Sequence, residues 1–329
     1  MRKKRLFVAI CFLILANMVF FTTIASAEYP EKEITLIGFA DPGQTSDLLI
    51  RALIIGASKY LNQPIVIEYK PGSAGMVAAS YIATVKPDGY TISACTSAAI
   101  VDGALMKKAP FIPLKSFTPI TVFGMSEHTG TLVANDAPWN TFKEFLDYIK
   151  SNPGNVKIGM SIGSGMHVAM EVVAKQDALK WVKVPYPNAG AARTDVMGHH
   201  IDAVASGADW PRYVKSGQAK LLVTHGRTRS PNSPDVPNLI ELGYNYANDT
   251  LHCIIGPAGL PKDVVAKLET AFAKGMETPE FKEVVEKAFV TPYYLNSKDL
   301  TNDLTARWPR TETLFKEFGI IKEAATQPR

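Results

Sequence analysis

The segment from Ile34 to Asp47, ITLIGFADPGQTSD, constrains the fold more than any other. Ile34-Thr35-Leu36-Ile37 is an apolar, β-branched run suited to a buried strand. Asp41-Pro42-Gly43 ends it, and Leu48, Leu49, Ala52, Leu53, Tyr60 and Leu61 then recur at helical spacing. Thr45, Ser46 and Asp47 stand where a helix takes its N-cap and first turn. A strand, a Gly turn and a helix start in that order aim free backbone N–H groups and a positive helix pole at one sheet edge, where an anion can sit.

Residues 1–27 read as a secretory leader. Arg2-Lys3-Lys4-Arg5 is basic, Leu6 to Phe21 is apolar, and Ala25-Ser26-Ala27 offers cleavage after Ala27. Glu28 follows, so the new terminus has no cysteine to carry a lipid, and Cys11 lies inside the apolar run. The leader holds four of the 35 basic residues and none of the 31 acidic ones, so the exported chain is near neutrality. That argues against nucleic acid or an anionic membrane as partner. Some 300 residues remain, enough for two domains by the usual size scaling. Cys95 and Cys253 both lie in apolar strand-like runs, which favours two buried thiols over a disulfide, although export permits one.

From Ile34 to Ser97 the pattern is strand, helix, strand, helix, strand, with Met76 to Val85 as the second helix and Tyr90 to Cys95 as the third strand. Such alternation predicts a parallel sheet with helices on both faces and a ligand edge at Ala40 and Thr96-Ser97. A strand at Ile120 to Met125 precedes a second series. That series has a helix over Thr141 to Ser151 capped by Asn140, a strand over Val156 to Ser161, a Gly turn at Ile162 to Met166 and a helix from His167 to Gln176. Strands at Trp181 to Pro185, Ile201 to Ala205, Leu221 to Thr224 and Leu251 to Gly256 follow, with helices at Asn188 to Met197, Asp209 to Lys215 and Pro261 to Gly275. Thr291 to Leu295 reads as a last strand, and 298–318 as a helix bent or restarted at Pro309. Arg227 to Pro237 is a surface loop. The expected fold class is α/β with two lobes, each a mixed, mainly parallel sheet flanked by helices.

Enzyme motifs fail on inspection. Ser164 has Ile162 and Met166 two residues away in place of the glycines of a nucleophile elbow. Gly163-Ser164-Gly165 runs on to Val168 without a third glycine, and no Walker loop, His-Glu-x-x-His or Cys-x-x-Cys is present. His199-His200 are adjacent and do not face one metal. Trp181 and Trp210 suit core or rim positions. An exported hydrolase with an unrecognised dyad, and a ligand-sensing partner of a membrane signalling receptor, are the alternatives to a binding protein.

Pro42-Gly43-Gln44-Thr45-Ser46-Asp47 resembles the Pro-Gly-Gly-x-x-Asp loop of the solute-binding proteins of tripartite tricarboxylate transporters, the Bug family. Co-linear likenesses follow at Asn62 to Glu68, Lys70 to Gly75, Pro87 to Thr91, Val184 to Tyr186, Gly198 to Asp202, Arg229 to Pro231, Asp235 to Pro237 and Gly256 to Gly259. The resemblance implies a periplasmic-binding-protein-like fold of type II, with lobe one at 28–125 plus 250–329 and lobe two at 126–249. It implies capture of a small carboxylate by hinge closure, no catalysis and no cofactor or metal. Its partner would be a membrane permease of one large and one small subunit, served by a monomer.

Carried over by position, the ligand residues expected from lobe one are Asp41, Gly43, Gln44, Thr45, Ser46, Asp47, Thr96 and Ser97. Those from lobe two are Ser161, Gly163, Ser164, Gly165, His167, Tyr186, Asn188, Gly190 and Ser206. Asp47 is expected to hold its loop rather than touch an anion, since like charges repel. His167 suits a ligand donor or a structural role equally. The chain departs from the family at Gln44 for the second Gly, at Ala40 where an aromatic is usual and at Ser206 near a usual Asp, and its Ser161 to His167 loop is short. Asp41 is an added carboxylate, read either as a solvated turn acid or as the partner of a cationic group on the ligand.

Overall fold

The computed structural model of the chain describes residues 28–107, 109–126 and 128–321. The expected leader, with its cleavage site and Cys11, lies outside them. Two five-stranded sheets form the body that begins at Lys32.

In the first sheet, β1 (Ile34–Gly38) is flanked by β2 (Ile65–Tyr69) and β3 (Thr91–Thr96), both parallel to it. Helices α1 (Thr45–Leu61) and α2 (Met76–Ile82) make the crossovers that parallel pairing requires. After β3 the chain passes through a π-type turn at Ala99–Gly103 and the short helices α3 (Ala104–Lys107) and α4 (Pro113–Ser116) into β4 (Phe117–Ser126). The sheet order is β2-β1-β3-β10-β4, where β10 (Thr250–Pro257) pairs antiparallel with both neighbours.

The second sheet repeats the plan. Its strands are β5 (Gly130–Ala134), β6 (Lys157–Met160), β7 (Val182–Pro185), β8 (Ala203–Ser206) and β9 (Ala219–Thr224), in the order β7-β6-β8-β5-β9. β6 is parallel to β7 and β8, while β5 is antiparallel to β8 and β9. Helices α5 (Phe142–Ser151), α6 (Gly165–Gln176), α7 (Ala189–Met197) and α8 (Pro211–Lys215) cover it. Two passages connect the sheets, from β4 into β5 and from β9 into β10. The chain closes on lobe one with α9 (Lys262–Glu277), α10 (Pro279–Ala288) and α11 (Ser297–Glu317).

Several local expectations change. Asn140 does not cap α5. Thr141 does, accepting the Glu144 N–H at 3.1 Å, while the Glu144 carboxylate accepts the Asn140 N–H at 2.7 Å, a reciprocal box that satisfies two helix-end donors. Thr291 to Leu295 forms isolated bridges to Met125 and Val122 rather than a strand. Pro309 lies inside a single helix, α11. Cys95 and Cys253 face each other across the β3–β10 ladder as buried free thiols, and burial raises Cys95 to about 12. Trp210 is fully buried and Trp181 nearly so. Helices α1 and α9 cross at Gly56 and Gly275, where a Cβ on Gly275 would lie 2.5 Å from the Leu53 carbonyl oxygen, so both positions need a bare backbone.

Candidate ligand cleft

The opening strand–turn–helix builds the first wall. Gly43 takes φ +83°, turning the chain so that its N–H meets the Asp47 Oδ2 at 2.7 Å. Burial alone would raise the Asp47 carboxyl, but the Gly43 N–H, the Tyr69 hydroxyl at 2.7 Å and Arg51 outweigh it and hold it below its ordinary value. Asp47 therefore braces the loop and stays ionised. The N-cap of α1 is Gln44, not a residue of the Thr45-Ser46-Asp47 run, and its side chain does not cap the helix. Its amide instead donates to Asp41 Oδ2 at 3.0 Å.

Lobe two supplies two more helix starts. Ser164 caps α6 by accepting the His167 N–H, and His167 Nδ1 accepts the Gly163 N–H at 3.2 Å. That leaves the proton on Nε2, 3.7 Å from Glu171. Asn188 caps α7 by accepting the Ala191 N–H at 3.0 Å. Its amide nitrogen also donates to Asp41 Oδ2 at 3.3 Å, a hydrogen bond between the two lobes.

All three helix starts open on one cavity of about 410 Å³. Asp41, Gln44, Thr45, Ser46 and Thr96 line it from the first lobe, and Ser161, Ser164, Gly165 and Asn188 from the second. Phe39, Ala40, Ala98, Met166, Ala208 and Val290 make much of the rest apolar, and among the described residues no Lys or Arg lines it. Eight expected residues lie outside that lining. Gly43 is exposed on the turn; Asp47 and His167 are buried braces; Gly163 and Gly190 serve the turn and helix behind it. The Tyr186 hydroxyl is taken by Asp195. Ser97 donates to neither lobe's lining but accepts the Leu251 N–H and faces a second cavity.

Ser206 is buried under Arg193, whose guanidinium donates to Ser206 Oγ at 3.1 Å and to Asp209 Oδ2 at 2.8 Å. Asp209 lines the cleft, and its charge is answered by Arg193.

Reading the sequence missed the residues that the crossing passages bring in: Ser126, Thr129, Asn248, Thr250 and His252, together with Asp209. His252 Nε2 lies 2.7 Å from Ser126 Oγ, its Nδ1 has no hydrogen-bond partner, and burial lowers the ring to about 4, so it is neutral at physiological pH. Asn248 donates to Thr129 Oγ1 at 3.0 Å and accepts from Thr250. A Cβ on Gly165 would lie 2.2 Å from Asn248 Oδ1, so the passage leading into β10 packs directly against the start of α6. A polar His in the apolar run Leu251 to Gly256 was the one local signal available.

Comparison with known families decides the affiliation. The family model described as "Tripartite tricarboxylate transporter family receptor" matches residues 49–320, most of the chain. The chain belongs to that receptor family. A relative in Cupriavidus necator, named "UPF0065 protein in gbd 5'region", is 31% identical over 298 residues, covering 90% of each chain. A solved periplasmic transporter superposes with a TM-score of 0.81 at 27% identity, covering 90% of this chain and 100% of that one. The periplasmic binding protein BugD superposes with a TM-score of 0.81 at 25% identity, covering 89% and 99%. The receptor is accordingly a periplasmic solute-binding protein and not an enzyme. Among its described residues no helix is long and apolar enough to cross a membrane.

Proposed function

We propose that this receptor captures a small carboxylate in the cleft between its lobes and hands it to a membrane permease of one large and one small subunit. The observation that carries this is the meeting of three helix starts, α1 from one lobe and α6 and α7 from the other, on a cavity with no lining Lys or Arg among the described residues. Each positive pole contributes ~0.3–1 kcal/mol to an anion when exposed and up to ~2 kcal/mol when enclosed. Three together hold one carboxylate without an arginine, helped by the hydroxyls of Thr45, Ser46, Thr96 and Ser161. The leader would be removed after Ala27 and the receptor would act as a monomer. The lobes would divide at 125/126 and 249/250, so that Ser126 to Thr129 and Asn248 to Thr250 flex as the hinge. A ligand that touches both lobes only when they are shut shifts an existing open–closed equilibrium toward closure.

The test is a thermal-shift screen of the chain from Glu28 onward, stripped of bound ligand by partial unfolding. A carboxylate at 100 times its dissociation constant stabilises by about 2.7 kcal/mol, a readable rise in midpoint. The expected result is a rise with small organic acids and none with sugars or amines lacking a carboxylate. A rise only with the latter would refute the reading.

A further inference from the structure

The cleft's charges point beyond carboxylate capture to the other end of the ligand. Among the described residues two carboxylates line it, Asp41 and Asp209. Asp209 is neutralised by buried Arg193 at 2.8 Å. Asp41 is not: its described partners are two neutral amides, Gln44 Nε2 at 3.0 Å and Asn188 Nδ2 at 3.3 Å, both on Oδ2. Those donors, one from each lobe, fix the carboxylate's position while leaving its charge unanswered and Oδ1 open. The positive features of the same cavity are backbone poles at helix starts, which suit one carboxylate and cannot serve Asp41 at once. A second or third carboxylate on the ligand would meet Asp41, the apolar wall of Phe39, Met166 and Val290 or the neutral floor of Thr129, Asn248 and Thr250, with no lining Lys or Arg among the described residues to offset its desolvation.

We propose that the ligand is a zwitterion, its carboxylate held at the helix starts and a cationic nitrogen held against Asp41. The assignment rests on the carboxylate reading above and names the half of the ligand that reading leaves open. Closure then unites three groups: the nitrogen, Asp41 of lobe one and the Asn188 amide of lobe two. The added carboxylate of this chain becomes its specificity residue.

Isothermal titration of the ligand-stripped protein with matched probes tests this. Leucine is compared with isocaproate, which lacks the ammonium; glycine betaine with tert-butylacetate, in which an uncharged carbon replaces the quaternary nitrogen; γ-aminobutyrate with glutarate and citrate. The expected result is that at least one zwitterion binds about tenfold or more tightly than its partner, the gain of one charge-assisted contact. Asp41→Asn, which keeps an oxygen for both amides, should shrink that preference to within about threefold. Equal or tighter binding of the partner lacking the cation in every pair overturns the proposal and leaves carboxylate capture standing. A zwitterion preference that survives Asp41→Asn overturns the assignment to Asp41. No binding by any probe, all of which carry a carboxylate, counts against carboxylate capture itself. The wild-type comparison decides the ligand class even where the variant folds poorly.

Discussion

His225 shows how a single side chain ties the hinge to pH. It is fully buried, with Nδ1 3.2 Å from Thr129 Oγ1 and Nε2 3.0 Å from Thr131 Oγ1, and its carbonyl accepts the Asn248 N–H at 2.7 Å. Burial lowers its pKa from 6.5 to about 3. The folded value lies below the unfolded one, so as pH falls below 6.5 the unfolded chain takes up the proton first. Stability from His225 is therefore complete above 6.5 and drains away on the path down to about 3. Asp102 works in the opposite sense, since burial raises it to about 7, and His252 in the same sense. The readout is thus the difference between parent and variant. His225→Gln, neutral at every pH, should flatten the dependence of urea-unfolding free energy on pH between about 6.5 and 4 by on the order of 1 kcal/mol per pH unit. A variant with the parent's slope would show that His225 takes up its proton in the fold as readily as in the unfolded chain.

At the scale of elements, the crossing of α1 and α9 is the contact with least room to adjust. A methyl on Gly275 would lie 2.5 Å from the Leu53 carbonyl oxygen and 3.3 Å from the Ala57 nitrogen, both backbone atoms of the facing helix. Helix propensity favours Ala over Gly by about 1 kcal/mol. Forcing the helices apart costs ~1–3 kcal/mol in overpacking, so the steric effect wins. Gly275→Ala should lower the midpoint of urea unfolding; a raised midpoint would mean that the helices separate freely. The elements themselves were largely legible. Apolar runs beside Gly turns marked β1, β3 and β6, and amphipathic spacing marked α1 and α9. The short strand β5 and the helix α10 went unread, because Gly130-Thr131-Leu132-Val133-Ala134 is brief and α10 follows α9 through Thr278-Pro279 with no break in composition. Of the cleft, the walls made by strand–turn–helix units were readable from Gly, Ser and Asn near helix starts. The floor from Ser126, Asn248 and His252 was not, because those residues meet only through two crossing passages more than a hundred positions apart.

Over the whole molecule, the bond between Asn188 Nδ2 and Asp41 Oδ2 at 3.3 Å joins the two lobes across the cleft, as the Lys215 ammonium 5.5 Å over the Phe289 ring does, so it favours the closed arrangement. Asn188 has a second task, capping α7 through its Oδ1, which an aspartate performs equally well. Asn188→Asp therefore separates the two roles. The cap survives, while two carboxylates now oppose each other across the cleft mouth. At a separation near 4 Å and an effective dielectric of about 20 such a pair repels by up to ~4 kcal/mol, and solvent at the mouth reduces this further. A residual bias of about 1.4 kcal/mol toward the open state already weakens apparent affinity for any ligand about tenfold, because only the closed fraction binds productively. The variant should show a larger radius of gyration by small-angle scattering without ligand, and an unfolding midpoint close to the parent's. Adding Asp41→Asn restores one donor and one acceptor across the gap and removes the repulsion, so the double variant should return to the parent's radius. Should Asn188→Asp scatter like the parent, closure is set by the hinge packing of Asn248 against Gly165 and not by the mouth.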